Sequence, residues 1–341
     1  MPYILAHTFF GYEALEALGK DPESFSPAFY LGCCGPDPYF FYHPLHNLLH
    51  KGSPDLGHFI HGLPGDKLFA AMLPAIDKTE QEFLWGMVCH LCLDAAAHPY
   101  ITSRTRGMDH SRMEVEIDMQ LYATAGSCTL APTLRQKGAD LDRLDLYMAR
   151  TVEKLTGRQT LGKYRSAART YLTLQRMSYD PHGSKRRIVS LLEAPFTRRG
   201  NLSGFMMTPG IEDTRDAMNR SHTPWRSPRQ PELLRRESFT ELFDQGLMEA
   251  ARCLRALERG IRPDFWPWSP VSAWNTDRWR PRRLWTRRLY EPPHHMFYRP
   301  SGYAPCHFTG IPADRPGYPI RHHTGHRAGR HRFLCRRCSG L

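Results

Sequence analysis

The stretch GMVCHLCLDAAAHPYI, residues 86–101, sets His90, Asp94 and His98 at intervals of four in an otherwise apolar run. On an α-helix such positions drift by only about 40° per step, so all three share one broad face. Imidazoles and a carboxylate on an apolar face are costly unless neighbouring groups or a cation satisfy them. A His/Asp pair at i, i+4 can chelate one metal ion. His90 and His98, about 12 Å apart along the axis at ~1.5 Å rise per residue, cannot share one. The spacing therefore points to His90 and Asp94 on one ion, with Asp94 facing a second and His98 further along. Pro99 disfavours helical geometry at His98, which predicts that the helix ends there.

The next segment repeats the pattern. DHSRMEVEID (109–118) sets His110, Glu114 and Asp118 at the same interval. Asp109 is placed to N-cap, putting His110 in the first turn. His110 and Glu114 form a second chelating pair, and Asp118 can orient a ligand from behind, as metal-bound histidines require. Upstream, LGCCGPDPYFFYH (31–43) holds Asp37 between two prolines, a stiff loop presenting one carboxylate. DLGHFIHGL (55–63) offers His58 and His61, and AHTFFGY (6–12) offers His7. Taken singly, His7 reads as a hydrogen-bonded core residue, His43, His46 and His50 as solvent-facing, and Tyr39–Tyr42 as packing. Two successive His/carboxylate ladders with a proline-flanked aspartate point instead to a metal site.

The elements that must position these residues read as helices. They are expected over Tyr3–Leu18, Thr79–Ala97, Asp109–Ala125, Asp140–Leu155, Leu161–Met177, Lys185–Glu193 and Glu232–Leu257, with loops at 32–66 and 198–230 and few alternating β patterns. The expectation is one all-α multi-helix domain over residues 1–265, followed by a Pro/Arg/His-rich irregular tail, 266–341.

Charge separates the two parts. Of the formal +12, residues 271–341 carry 14 Arg and no Lys against three acids, a balance of +11. Residues 1–270 hold 32 basic and 31 acidic side chains, a balance of +1. Net charge thus gives no support for nucleic-acid binding by the body, and only non-specific binding by the tail is expected. The tail has the composition of a disordered or irregular appendage, or of a segment read in an altered frame. Its Cys306, His322, His323, His326, His331, Cys335 and Cys338 lack finger spacing, although a small zinc knuckle is one reading. Nine cysteines without regular spacing suit reduced thiols, and Cys89 and Cys92 lie off the His90/Asp94 face, as small packing residues. No secretory signal or spanning segment is legible, so a soluble, cytoplasmic protein is expected. Nothing in the sequence sets the oligomeric state.

At these same residues the chain resembles the bacterial zinc-dependent phospholipase C family. The motifs are YLGCCGPD (30–37), LGHFIH (56–61), HLCLDAAAHPY (90–100) and HSRMEVEID (110–118), with NRSHTPWRSP…ESFTELF (219–243) similar to the family's distal region. The resemblance covers roughly residues 1–260. It implies an all-helical fold holding two or three Zn2+ ions. Asp37, His61, His90 and Asp94 would hold one, His98, His110 and Glu114 a second, and His7 with a bridging Asp94 a third. Of the two upstream histidines, His61 fits the family register better than His58. The implied activity is phosphodiester hydrolysis by metal-activated water, with a phospholipid or other phosphodiester as substrate and Asp37 as bridging ligand or base. The alternatives are a phosphodiesterase like the single-strand nucleases, and a non-catalytic metal-binding or interaction protein on the same scaffold.

Overall fold

Asp77 starts the longest helix by accepting the Glu80 backbone N–H at 2.9 Å, while the Glu80 carboxylate reaches back to the Ile76 N–H at 2.8 Å. The first contact satisfies a donor that a helix start leaves open, and the second ties down the chain just before the cap. The computed structural model of the protein describes residues 4–43, 55–125, 135–195, 202–228 and 230–263, all within one compact unit, Met1–Pro281. Among the described residues there are ten α-helices: α1 Ile4–Ala17, α2 Pro27–Cys33, α3 Asp55–His61, α4 Gly65–Met72, α5 Lys78–Arg104, α6 Met108–Ala125, α7 Leu141–Thr156, α8 Lys163–Ser178, α9 Ser184–Glu193 and α10 Phe239–Glu258. One short antiparallel hairpin joins β1, Trp225–Ser227, to β2, Gln230–Arg235, with Trp225 opposite Arg235. The protein is all-α in class.

Helix α5 is the axis of the core. It carries buried residues on every side, from Phe83 and Met87 to Tyr100 and Ile101, as expected of a helix enclosed by others. Helices α1, α2, α6, α7 and α10 all pack on it. Its approach to α2 is unusually close. A β-carbon at Gly32 would stand 2.2 Å from the Phe83 carbonyl oxygen, and one at Gly86 2.1 Å from the Phe29 carbonyl oxygen. Two glycines facing each other therefore let the two backbones touch, which draws the loop after α2, with Asp37, onto the His90 side of α5.

Several expectations need correction. Helix α5 does not end at His98 but continues through Pro99 to Arg104. Pro99 and Ala95, whose carbonyl Pro99 cannot serve, both sit on the partly exposed side of the helix. The far end is held by Arg104, whose guanidinium donates to the Arg215 and Asp216 carbonyls and to Asn219 Oδ1. Asp109 is not the cap of α6. That helix starts at Met108, and Asp109 pairs with Arg215 at 3.0 Å. The segment 32–66 is not one loop, since it contains a 3-10 turn over Asp37–Phe41, the helix α3 and the start of α4. The last helix begins at Phe239 rather than Glu232. Pro231 lies in the hairpin, and Ser238 with Glu241 forms a complete capping box just before the helix. Cys89 and Cys92 are buried free thiols within the core. His46, His50 and the whole of 266–341, with its basic charge and Cys/His cluster, lie outside the described residues.

Candidate metal centre

Eight side chains from five elements converge on one buried region: His7 from α1, Asp37 from the turn after α2, His61 from the end of α3, His90, Asp94 and His98 from α5, and His110 and Glu114 from α6. They form three groups whose ligand atoms lie within 4.8 Å of one another: His7/His90/Asp94, Asp37/His61/His90 and His98/His110/Glu114. Every residue proposed as a ligand from the spacing and the resemblance is thus brought to this region, except His58. His58 is exposed, with Phe40 wedged against both histidines of α3, its ring 5.0 Å from His58 and 5.1 Å from His61.

Asp94 is the hub. Its Oδ1 faces His98 Nδ1 at 3.0 Å and His7 Nε2 at 3.3 Å, and its Oδ2 faces His90 Nε2 at 3.1 Å and His61 Nε2 at 4.0 Å. Asp37 Oδ1 meets His61 Nε2 at 2.9 Å and His90 Nε2 at 4.0 Å. At the other end, Glu114 Oε1 lies 2.8 Å from His110 Nε2 and 3.4 Å from His98 Nε2. A carboxylate with both oxygens committed to different histidines is the arrangement of a bridge between neighbouring cations.

Backbone and hydroxyl groups set which ring nitrogen faces the centre. His90 Nδ1 is 3.1 Å from the Cys33 carbonyl and His61 Nδ1 is 2.8 Å from the Gly57 carbonyl. A carbonyl only accepts, so each Nδ1 carries the proton and each Nε2 turns a lone pair inward. The Thr105 hydroxyl donates to the Ile101 carbonyl at 2.7 Å, which leaves its oxygen to accept from His110 Nδ1 at 3.2 Å. Three histidines are therefore fixed in the tautomer that suits metal ligation, by partners of the kind such histidines use.

Asp118 acts from further back. Its carboxylate accepts the backbone N–H groups of Leu5 at 3.0 Å and Ala6 at 2.9 Å. Those are first-turn donors of α1, so a residue 113 positions away caps the helix and fixes the register of His7. The sequence placed Asp118 behind a ligand, and it does stand there, but it grips backbone rather than an imidazole.

The electrostatics suit a cationic occupant. Both oxygens of Asp37, Asp94 Oδ2 and His90 Nε2 are buried with no aligned hydrogen-bond partner, despite the short approaches above. Atoms that converge without donor–acceptor alignment, in a volume shut off from water, are expensive unless a cation fills the space between them. Burial favours neutral His98, yet the Asp94 and Glu114 carboxylates outweigh it and push its pKa up to about 10. For His90 burial is likewise outweighed by Asp94 and Asp37, and its pKa is raised. Burial would lift Asp94, but His90, His98 and His7 hold it well below the usual carboxylate range. Entry of a divalent cation therefore competes with protons. The donor set of imidazoles with carboxylates is the one zinc takes, and the residues fit it.

Gly35 escaped the reading of the sequence. Its φ of +58° is a left-handed conformation, and a β-carbon there would lie 2.3 Å from His90 Cγ and Cδ2. The signal lay in the GPD run, where a glycine before Pro-Asp marks a tight turn. The Cys33 and Gly57 carbonyls carried no side-chain signal at all.

Fold and site together define a mostly helical protein built around buried His/Asp/Glu groups suited to divalent cations. A family model described as zinc dependent phospholipase C matches residues 6–165, just under half of the chain, and over that segment the chain is similar to the zinc-dependent phospholipase C family. The match spans all eight clustered residues from His7 to Glu114. No curated protein and no solved structure matches the chain.

Proposed function

We propose that the protein is a zinc-dependent phosphodiester hydrolase of the phospholipase C type, acting on a phospholipid or a related phosphodiester. The observation that carries this reading is the Asp94 hub, one buried carboxylate whose two oxygens face histidines of all three groups. His61, His90 and Asp37 would hold one zinc, His98, His110 and Glu114 a second, and His7 a third against Asp94. Zinc supplies Lewis acidity, which lowers the pKa of water towards neutrality and offsets charge developing on a phosphodiester. The chain supplies the rest. The Cys33 and Gly57 carbonyls and the Thr105 hydroxyl keep His90, His61 and His110 oriented. Asp37, held by the proline-flanked turn with both oxygens free of hydrogen-bond donors, is the group to receive a proton from the attacking water or to bridge two ions.

The test is turnover and metal content together. Zinc-loaded protein should cleave a soluble phosphocholine ester, and Asp37→Asn should abolish most of that activity while leaving the helical spectrum unchanged. Cleavage of single-stranded DNA in preference to the ester would move the substrate to nucleic acid. A folded protein that takes up no zinc, or that turns over neither substrate when loaded, would overturn the proposal.

A further inference from the structure

Helix α9 inverts the logic of α5. Of its ten residues only Glu193 is buried. Ile188, Leu191 and Leu192 expose 59%, 76% and 70% of their surfaces. At about 100° per residue these three fall within an arc of about 100°, with Lys185 and Arg187 flanking it on either side. The opposite side faces the protein and is pinned by Glu193, whose carboxylate accepts the Leu202 N–H at 2.6 Å, the Ser203 N–H at 3.3 Å and the Ser203 hydroxyl. The helix is thus held by its one acid and turns its large apolar residues outward. Lys185 also donates to the Met177 and Tyr179 carbonyls, at 2.9 and 2.8 Å, which places the exposed Met177 beside it.

Single exposed apolar residues are ordinary. Three on one helical face, framed by cations and with no exposed acid in the helix, match the pattern of a helix that lies in a membrane interface. The geometry points to an anionic lipid bilayer as the surface that α9 docks on. Charge decides against the other occupants. A second copy packed face to face would set Lys185 and Arg187 against their own kind. The tail of this chain carries a balance of +11 and is repelled in the same way. An anionic headgroup layer over an acyl interior matches both the basic frame and the apolar centre. The turn Ser203–Phe205 packs on both α9 and α6, and Gly204 lies against the side chain of Arg112, between His110 and Glu114 in sequence. The inference rests on the phospholipase C-like reading only for why a lipid surface serves this protein.

The experiment sediments full-length, zinc-loaded protein with vesicles of phosphatidylcholine alone or mixed with phosphatidylglycerol. Wild type should partition to the mixed vesicles and not to the neutral ones. The triple variant Ile188→Ser, Leu191→Ser, Leu192→Ser should bind at least about tenfold more weakly, from the apolar area removed. The single variant Leu191→Glu should show the same direction and guards against misfolding of the triple. The tail is common to all three proteins, so its contribution cancels in the comparison. Zinc content and hydrolysis of a soluble phosphocholine ester should not change. Equal binding by wild type and both variants, or no vesicle binding by wild type, overturns the inference. Wild type that self-associates while the variants are monomeric, with vesicle binding unchanged, overturns it in favour of a second copy. Lost docking with intact ester hydrolysis speaks for α9, whereas absent hydrolysis with intact docking counts against the proposed function alone.

Discussion

Gly35→Ala tests the link between backbone and metal cluster most directly. Gly35 sits at φ +58°, where a β-carbon costs about 1–2 kcal/mol. That carbon would stand 2.3 Å from His90 Cγ and Cδ2 and 2.6 Å from Nε2. Carbon–carbon contacts are comfortable only from about 3.5 Å, so the ring must retreat by roughly 1 Å. Overpacking of this kind costs about 1–3 kcal/mol, giving roughly 2–5 kcal/mol in all. For a domain of this size that is a fall in Tm on the order of 5–15 °C. Metal ligation tolerates displacements of only about 0.2 Å, so the two groups that share His90 should lose zinc. The His98/His110/Glu114 group, which contains no atom of His90, should keep it. The assay is zinc content by elemental analysis after dialysis, alongside thermal unfolding. Gly19→Ala is the control. Its φ is +71° with nothing within 4 Å of an added β-carbon, so it carries the backbone cost without the clash. Full zinc content in Gly35→Ala, with a Tm change no larger than that of Gly19→Ala, would refute the reasoning.

Two further perturbations probe the N-terminal helix. Asp118→Ala leaves the buried Leu5 and Ala6 N–H groups without their acceptor, at a cost of about 1–3 kcal/mol for each; the first turn of α1 should fray and the His7 group should lose zinc first, while retention of every zinc with unchanged stability would show that Asp118 does not position His7. Glu13→Gln addresses pH: burial, with Glu16 and Asp244 nearby, raises the Glu13 pKa to about 7. The raised folded-state value means that wild type has this contribution in full below about pH 4.5 and loses it as pH rises through 7. The glutamine variant should therefore gain on wild type between pH 5 and pH 8, by about 1 kcal/mol once the partial exposure of Glu13 is discounted. Urea unfolding at both pH values measures it, and a gap that stays constant or shrinks towards pH 8 contradicts the assignment.

The local order of the chain fixed what the helices could offer. The i, i+4 ladders of α5 and α6 put imidazoles and carboxylates on one face because helical geometry repeats every 3.6 residues, and no tertiary contact is needed to see it. The proline-flanked Asp37 is local in the same sense; the Ser238/Glu241 capping box is local too, yet the periodicity alone started the last helix at Glu232. Even so, the stop at Pro99 was a wrong inference from a sound rule: the proline does remove a hydrogen bond, but it does so on the partly exposed side of the helix, and exposure is a property of the folded chain. The end of a helix is decided by what surrounds it.

What only the tertiary structure decided is everything that joins distant segments. His61 rather than His58 enters the cluster because the fold buries the end of α3 against Asp37 and leaves His58 on the exposed side. The Nε2 of His90 faces inward because the Cys33 carbonyl, 57 residues away, holds the other ring nitrogen. His7 is brought in by Asp118, and Asp94 becomes the hub only once α1, α3, α5 and α6 meet. The physical reason is the same throughout: residue types and helical periodicity are written along the chain, whereas a ligand cage is a set of distances across it, and a backbone carbonyl or the missing side chain of a glycine leaves no chemical mark in the sequence until the fold brings it against its partner.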